Sequence, residues 1–252
     1  MDKANFSQLL QDAVNQPGII SKCYTTFYGY SIGNQLLAWS QCVERNIPLG
    51  PIATYKKWFE LGRQVSKGQK AIALVMPVTI NKKDATGEKT GEVFSLFTLR
   101  NNWFLLSQTE GQDFAAEVIT PAWDKAKALA ALDITEERFA LTNGNCQGYA
   151  QDRAIAVNPV AALPHKTRFH EIAHVVLGHT SEGLVTDSDV TPADVREVEA
   201  ESVAYILCSL LDLPGLVESR GYIQHWLASA EITDKSAQRI FATANKILNA
   251  GA

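Results

Sequence analysis

Residues 168–177 read Arg168-Phe169-His170-Glu171-Ile172-Ala173-His174-Val175-Val176-Leu177, and how this stretch folds decides the architecture of the second half of the chain. Apolar Phe169, Ile172, Val175, Val176 and Leu177 enclose a polar trio, a pattern that predicts a helix. Two imidazoles four residues apart in a helix stand one above the other on one face, which is what a tetrahedral metal ion requires from its first two ligands. Glu171, one residue on from His170, then projects beside the ion as the general base of a hydrolysis. A plain amphipathic helix with a solvated Glu carries the same five letters, so a third ligand has to be found downstream.

Residues 196–208 begin acidic and turn apolar, with Val198, Val203, Ile206 and Leu207 marking a buried helix face. Glu197 and Glu201 are four apart and share a face, whereas Glu199 points roughly the other way. Glu197 is the expected third ligand and Glu201 the carboxylate that accepts a ring N–H from a ligating histidine. Glu199 competes for the ligand role, and three solvated carboxylates on an amphipathic helix are the alternative. Pro164 and Thr191-Pro192 suit the starts of the two helices. His179 departs from the spacing of longer zinc-peptidase patterns and reads as a helix C-terminal histidine beside Gly178, not a ligand. Two imidazoles and a carboxylate accept zinc, with manganese, cobalt or nickel as alternatives. Tyr222 or His225 could donate to a developing oxyanion, and a packed or surface role competes for each.

At 252 residues and 46% hydrophobic composition the chain can bury a full core. No apolar run reaches membrane-spanning length, and Met1 to Asn5 lacks the basic and apolar regions of a secretory signal, so a soluble cytoplasmic protein with no membrane partner is expected. Cys23, Cys42, Cys146 and Cys208 are scattered and show no paired ligand spacing, so reduced, mostly buried thiols are expected. The net charge of −4 conceals an asymmetry. Residues 1–110 carry 12 Lys or Arg against 8 Asp or Glu, while residues 111–252 carry 11 against 19. Halves of opposite sign point to two domains, the basic one being the candidate for a polyanion.

Periodicity predicts helices over 6–15 and 31–46, a short helix over 54–61 and a strand over 71–80. A polar hairpin loop over 81–91 leads to strands over 94–99 and 103–107. Residues 111–121 read as a linker. After it come a helix over 122–132, a strand over 139–141, a β segment over 149–158 and helices throughout from 192, with new starts at Pro214 and Thr233. The β segment precedes the metal helix and could form a cleft rim along which an extended peptide lies by edge pairing.

In the basic half Tyr55-Lys56-Lys57-Trp58-Phe59 is followed by Arg63, Lys67 and Lys70, which interleaves cations with rings. Single-stranded nucleic acid calls for that combination, because cations meet phosphates and aromatic faces meet unstacked bases. A helix with its rings packed inward and its lysines solvated is the competing reading.

Three runs, Gly33 to Trp39, Tyr55 to Leu61 and Gly62 to Lys70, resemble the N-terminal single-stranded-DNA-binding domain of ArdC-type antirestriction proteins. His170 to Thr180 with Glu197 to Leu207 resembles the zincin-like metallopeptidase domain that follows it in that family. The resemblance implies an α+β chain. A small α+β domain over 1–112 would bind single-stranded DNA through Lys56, Lys57, Trp58, Arg63, Lys67 and Lys70. A zincin-like domain over 120–252, with a small antiparallel sheet and a helical C-terminal part, would hold one divalent ion, zinc first, on His170, His174 and Glu197, with Glu171 as general base and Glu201 behind the ligands. It further implies antirestriction on a plasmid, phage or other mobile element. Two alternatives stand beside this expectation: a non-proteolytic single-strand protector with a structural metal, and a peptidase acting on DNA-bound proteins.

Overall fold

The computed structural model describes residues 4–83, 89–115, 122–140, 146–180, 193–229 and 232–252. In chain order these form α1 (Phe6–Asn15), α2 (Ile19–Thr26), α3 (Ile32–Glu44), β1 (Ile52–Thr54), α4 (Tyr55–Glu60), β2 (Arg63–Val65), β3 (Ile72–Lys83), β4 (Lys89–Leu105) and β5 (Thr109–Gly111). They continue with α5 (Lys125–Leu132), β6 (Thr135–Glu136), β7 (Gly148–Gln151), β8 (Ala154–Val157), α6 (Pro164–Leu177), α7 (Ala193–Leu210), α8 (Leu216–Ser229) and α9 (Asp234–Gly251). The fold is α+β, as expected. Among the described residues no helix is long and apolar enough to cross a membrane.

Two compact units emerge. The first comprises Met1–Ala4 and Asn34–Glu117, the second Asn5–Gly33 and Val118–Ala252. The division therefore runs through α3, and α1 and α2 pack in the second unit, where the sequence reading puts them in a domain over 1–112. The cause is apolar: Leu9, Leu10, Ala13 and Val14 make one fully buried face of α1, Phe6 meets the Phe241 ring of α9, and the Ser7 amide donates to Asp234 Oδ1 at 2.9 Å.

In the first unit β3 and β4 form a long antiparallel ribbon with β1 on the far side of β4, in the order β1-β4-β3, and β2 pairs separately with β5. Sequence punctuation suggests two strands where the chain builds the single β4. The polar pair Asn101-Asn102 is a bulge rather than a break, since Ile72 faces Trp103 while Ala73 faces Asn101. Edge strand β3 is closed by side chains. Asn34 exchanges both amide hydrogen bonds with the Val75 backbone at 2.8 and 3.0 Å, and Gln41 does the same with Ala73 at 2.8 and 2.9 Å. Two amides on α3 thus occupy backbone groups that an intruding strand would use.

In the second unit α7 is the central helix, with Val198, Ala200, Val203, Ala204, Ile206 and Leu207 all buried. It packs on α6, α8, α9 and α2. The residues over 148–157 form a hairpin, not one strand: β7 and β8 pair antiparallel around Asp152, whose φ of 50° makes the turn. Two-residue β6 joins β8 in parallel, so the small sheet is mixed, ordered β6-β8-β7. Two further expectations differ. The helix α2 forms where periodicity predicts none, between the helices expected over 6–15 and 31–46, and residues 139 and 140 lie outside any strand. Residues 116–121 of the expected linker, Leu141 and Thr191-Pro192 lie outside the described residues.

Candidate metal centre

Helix α6 starts on Pro164, whose fixed φ suits the first turn, and stops at Gly178 in the left-handed conformation, φ 79°. Burial of Phe169, Ile172, Ala173, Val175 and Leu177 sets its rotation. His170 and His174 are thereby aimed to one side, with their Nε2 atoms 3.0 Å apart. Opposite them, on α7, Glu197 brings its two carboxylate oxygens to 3.3 Å from His170 Nε2 and 3.5 Å from His174 Nε2. One ligating atom from each of the three residues falls within 4.8 Å of the others. In a tetrahedral zinc site with metal–nitrogen bonds of about 2.0–2.1 Å, ligand atoms lie roughly 3.3 Å apart. The observed separations need only small shifts to enclose a divalent cation.

The two histidines are each held from behind. His170 Nδ1 lies 3.1 Å from Glu201 Oε2, and the other oxygen of Glu201 is 2.7 Å from Lys166 Nζ. His174 Nδ1 lies 3.0 Å from His179 Nδ1, and His179 Nε2 is 3.0 Å from Glu199 Oε2. Of the three glutamates on α7, Glu197 and Glu201 therefore sit by the paired imidazoles of α6, and Glu199 turns to His179. That contact follows from the helix stop. With Gly178 left-handed, the His179 amide reaches back five residues to the His174 carbonyl at 2.9 Å, the wider-spanning bond of a Schellman cap, and the His179 side chain folds over the preceding turn.

Charge in the site is strongly coupled. Burial disfavours a charged His170, but hydrogen bonds to Glu197 and Glu201 outweigh it and raise the imidazole to about 9. Hydrogen bonds from His170 and His174 hold Glu197 far below the ordinary carboxylate range. For Glu201, burial is outweighed by His170 and Lys166, which bring it to about 2. Glu171 moves the other way. Burial raises its carboxyl despite the two neighbouring histidines, as suits a proton acceptor.

His170, Glu171, His174, His179 and Glu197 line a cleft of about 390 Å³ together with Gly148, Tyr149 and Ala150 of β7 and Arg196 of α7. Among the described residues β7 is an edge of its sheet, paired with β8. Gly148 is required by space: a Cβ there would lie 2.6 Å from Thr167 Cγ2 and 3.0 Å from Glu171 Oε1. Arg196 is a cleft cation that sequence reasoning passes over, because it looks like a surface charge beside Glu197. Tyr222, 40% exposed on α8, is not among the residues lining the cleft, and the His225 side chain lies outside those described.

The basic aromatic segment needs one correction. Trp58, expected to face nucleic acid, is 1% exposed. Its indole N–H donates to the Phe104 carbonyl at 2.7 Å and its ring meets Phe114 edge-on. A buried indole seeks such an acceptor. The rings presented beside Lys56 and Lys57 are instead Tyr55, 46% exposed, and Phe59, 69% exposed. Lys67 and Lys70 are exposed. Arg63 is committed to its own unit, since its guanidinium donates to both oxygens of Thr109 and to the Gln112 carbonyl and so ties β2 to β5.

Residues 8–113 match the family model described as the N-terminal domain of anti-restriction factor ArdC. No curated protein sequence matches the chain. Among solved structures, the metal-free antirestriction ArdC protein from the R388 plasmid aligns over 97% of this chain and 94% of its own, at 23% identity and a TM-score of 0.54. The Mn(II)-bound structure of that protein aligns over 99% of both chains, at 20% identity and a TM-score of 0.58. The similarity in fold thus covers the second unit as well as the N-terminal match.

Proposed function

We propose, on the premise that this chain is an ArdC-type protein, that its second unit is a metal-dependent peptidase and its first unit binds single-stranded DNA. The observation that carries the reading is the convergence of His170, His174 and Glu197 beside buried Glu171. The R388 relative is known with Mn(II) bound, which supports a divalent cation here, and the ligand set equally suits zinc.

A cation on these three residues would supply Lewis-acid polarisation of a scissile carbonyl. Glu171, with its carboxyl made more basic by burial, takes the proton of the attacking water and delivers it to the leaving amine. The edge of β7 aligns an extended peptide by main-chain hydrogen bonds, and Gly148, where a Cβ would meet Thr167 and Glu171, lets this strand lie close against the proton acceptor. Arg196 adds positive charge to the wall of the cleft, where an oxyanion develops. On the first unit, Tyr55 and Phe59 supply stacking faces among the cations Lys56, Lys57, Lys67 and Lys70.

A second reading is favoured by the family match falling on residues 8–113, namely that the chain protects single strands by covering them while the metal site is structural. One set of variants separates the two. Elemental analysis should find about one divalent ion per chain, lost in His174→Ala. Glu171→Gln should keep the ion and abolish hydrolysis of an unfolded protein substrate, and replacing Lys56, Lys57, Lys67 and Lys70 together should abolish single-strand binding. If Glu171→Gln retains full protection of transferred DNA in cells, proteolysis is not the protective activity.

A further inference from the structure

His179 is 4% exposed at its side chain and Glu199 is 1% exposed, and neither belongs to the ligand set. They form a line of polar contacts that starts at His174 Nδ1, crosses the His179 ring and ends on Glu199. The second oxygen of Glu199 accepts from Ser236 Oγ at 2.5 Å and lies 3.7 Å from Arg239 Nη1, both from α9. Arg239 itself also donates to the Leu177 carbonyl at the end of α6.

Proton accounting along this line has one solution for neutral rings. An ionised carboxylate only accepts, so the proton shared with Glu199 sits on His179 Nε2. A neutral imidazole with Nε2 protonated has a bare Nδ1, which can only accept. The hydrogen bond to His174 therefore runs from His174 Nδ1–H to His179 Nδ1. His174 is left with an unprotonated Nε2, and that is the atom 3.5 Å from Glu197 and 3.0 Å from His170 Nε2. The opposite tautomer would direct an N–H at the site where a cation has to bind.

Resting on the ligand assignment above, we propose that His179 is a positioning residue for the metal, fixing the tautomer and ring orientation of His174, and that Glu199, anchored by Ser236 and Arg239, fixes His179. His170 has a one-step support in Glu201, whereas His174 has a two-step support that runs through an extra imidazole to the C-terminal helix. Supports of this kind typically contribute 10–100-fold to metal affinity.

The test uses the full chain and Mn(II) as probe, with affinity read by electron paramagnetic resonance and folding by the metal-free melting temperature. Wild type should bind and His170→Ala should not; failure at this step sinks the ligand assignment itself. His179→Phe, which keeps bulk and removes both nitrogens, should weaken Mn(II) binding 10–100-fold. His179→Gln, whose amide can both accept from His174 and donate to Glu199, should recover most of that loss. Ser236→Ala should produce a smaller loss in the same direction. In metal-free wild type, ¹⁵N shifts should report His174 protonated at Nδ1. An affinity within twofold of wild type in His179→Phe overturns the proposal, as does His174 protonated at Nε2. Should His179→Phe not fold, the Gln and Ser236 variants and the tautomer measurement decide: Mn(II) affinity unchanged in Ser236→Ala together with an Nε2-protonated His174 overturns it.

Discussion

At the scale of single residues, Trp58 and Phe59 are neighbours in sequence with opposite roles. Trp58→Ala removes a fully buried indole and its bond to the Phe104 carbonyl, and should destabilise the first unit by about 3–5 kcal/mol. Phe59→Ala exchanges an exposed ring and should leave chemical denaturation midpoints nearly unchanged while weakening single-strand binding by about 1–3 kcal/mol. Denaturation and fluorescence anisotropy on the two variants check the pair; a Phe59→Ala protein that binds DNA like wild type removes the stacking role. The contrast also marks what a sequence conveys. The pairing of His170 with His174 is legible because i,i+4 spacing places side chains on one face without further information, whereas the approach of Glu197 rather than Glu199 depends on how α7 packs against α6. Burial of Trp58 is not legible, since composition treats both rings alike and the carbonyl that satisfies the indole lies 46 residues away. His179 escapes for another reason: its contact with His174 depends on a left-handed glycine after the helix, which breaks the periodicity that the reading relies on.

At the scale of elements, β6 is only two residues long, yet it is pinned from two sides. Glu136 accepts a bidentate pair of hydrogen bonds from Arg168 of α6 at 2.8 and 3.0 Å and lies 3.1 Å from Lys125 of α5. The hydrogen bond from Arg168 is the main reason its carboxyl is held below the ordinary value of 4.5, against the opposing effect of burial. A carboxyl depressed in the folded state contributes stability that is complete above its unfolded value and is lost as pH falls through the folded one. Glu136→Gln should therefore cost about 1–2 kcal/mol at pH 7, and the gap to wild type should close on acidification below 4.5. Equal destabilisation at pH 7 and pH 3 would show that the pair is not ionic in effect. Element types were legible for the amphipathic helices and the long ribbon, but β6 and the turn at Asp152 were not. A two-residue strand has no period to detect, and its place comes from charges contributed by two other elements.

At the scale of the whole molecule, the basic first half of the sequence and the acidic second half with its candidate metal site carry two proposed activities, which should respond to different solution conditions. With Arg63 committed to Thr109 and Gln112, the four exposed lysines of the basic aromatic segment remain for phosphates, Lys57 by exchanging its exposed ion pair with Glu60. Counterion release then predicts a slope of about −3 in log affinity against log salt, or roughly a 50-fold loss in single-strand affinity from 50 to 200 mM. A chelator should abolish hydrolysis and leave that slope unchanged, as gel shifts at several salt concentrations would show. A slope near zero would place DNA binding elsewhere or deny it. The rim strand β7 has a consequence of its own. In the peptidase proposed above, a rim that paired with amides and carbonyls would be indifferent to which amino acids a victim displays, and would respond to whether it can offer several residues in a straight, unpaired line. Discrimination at such a mouth rests on how readily a target locally unravels, so tightly folded bystanders would be spared and strained or partly opened polypeptides consumed.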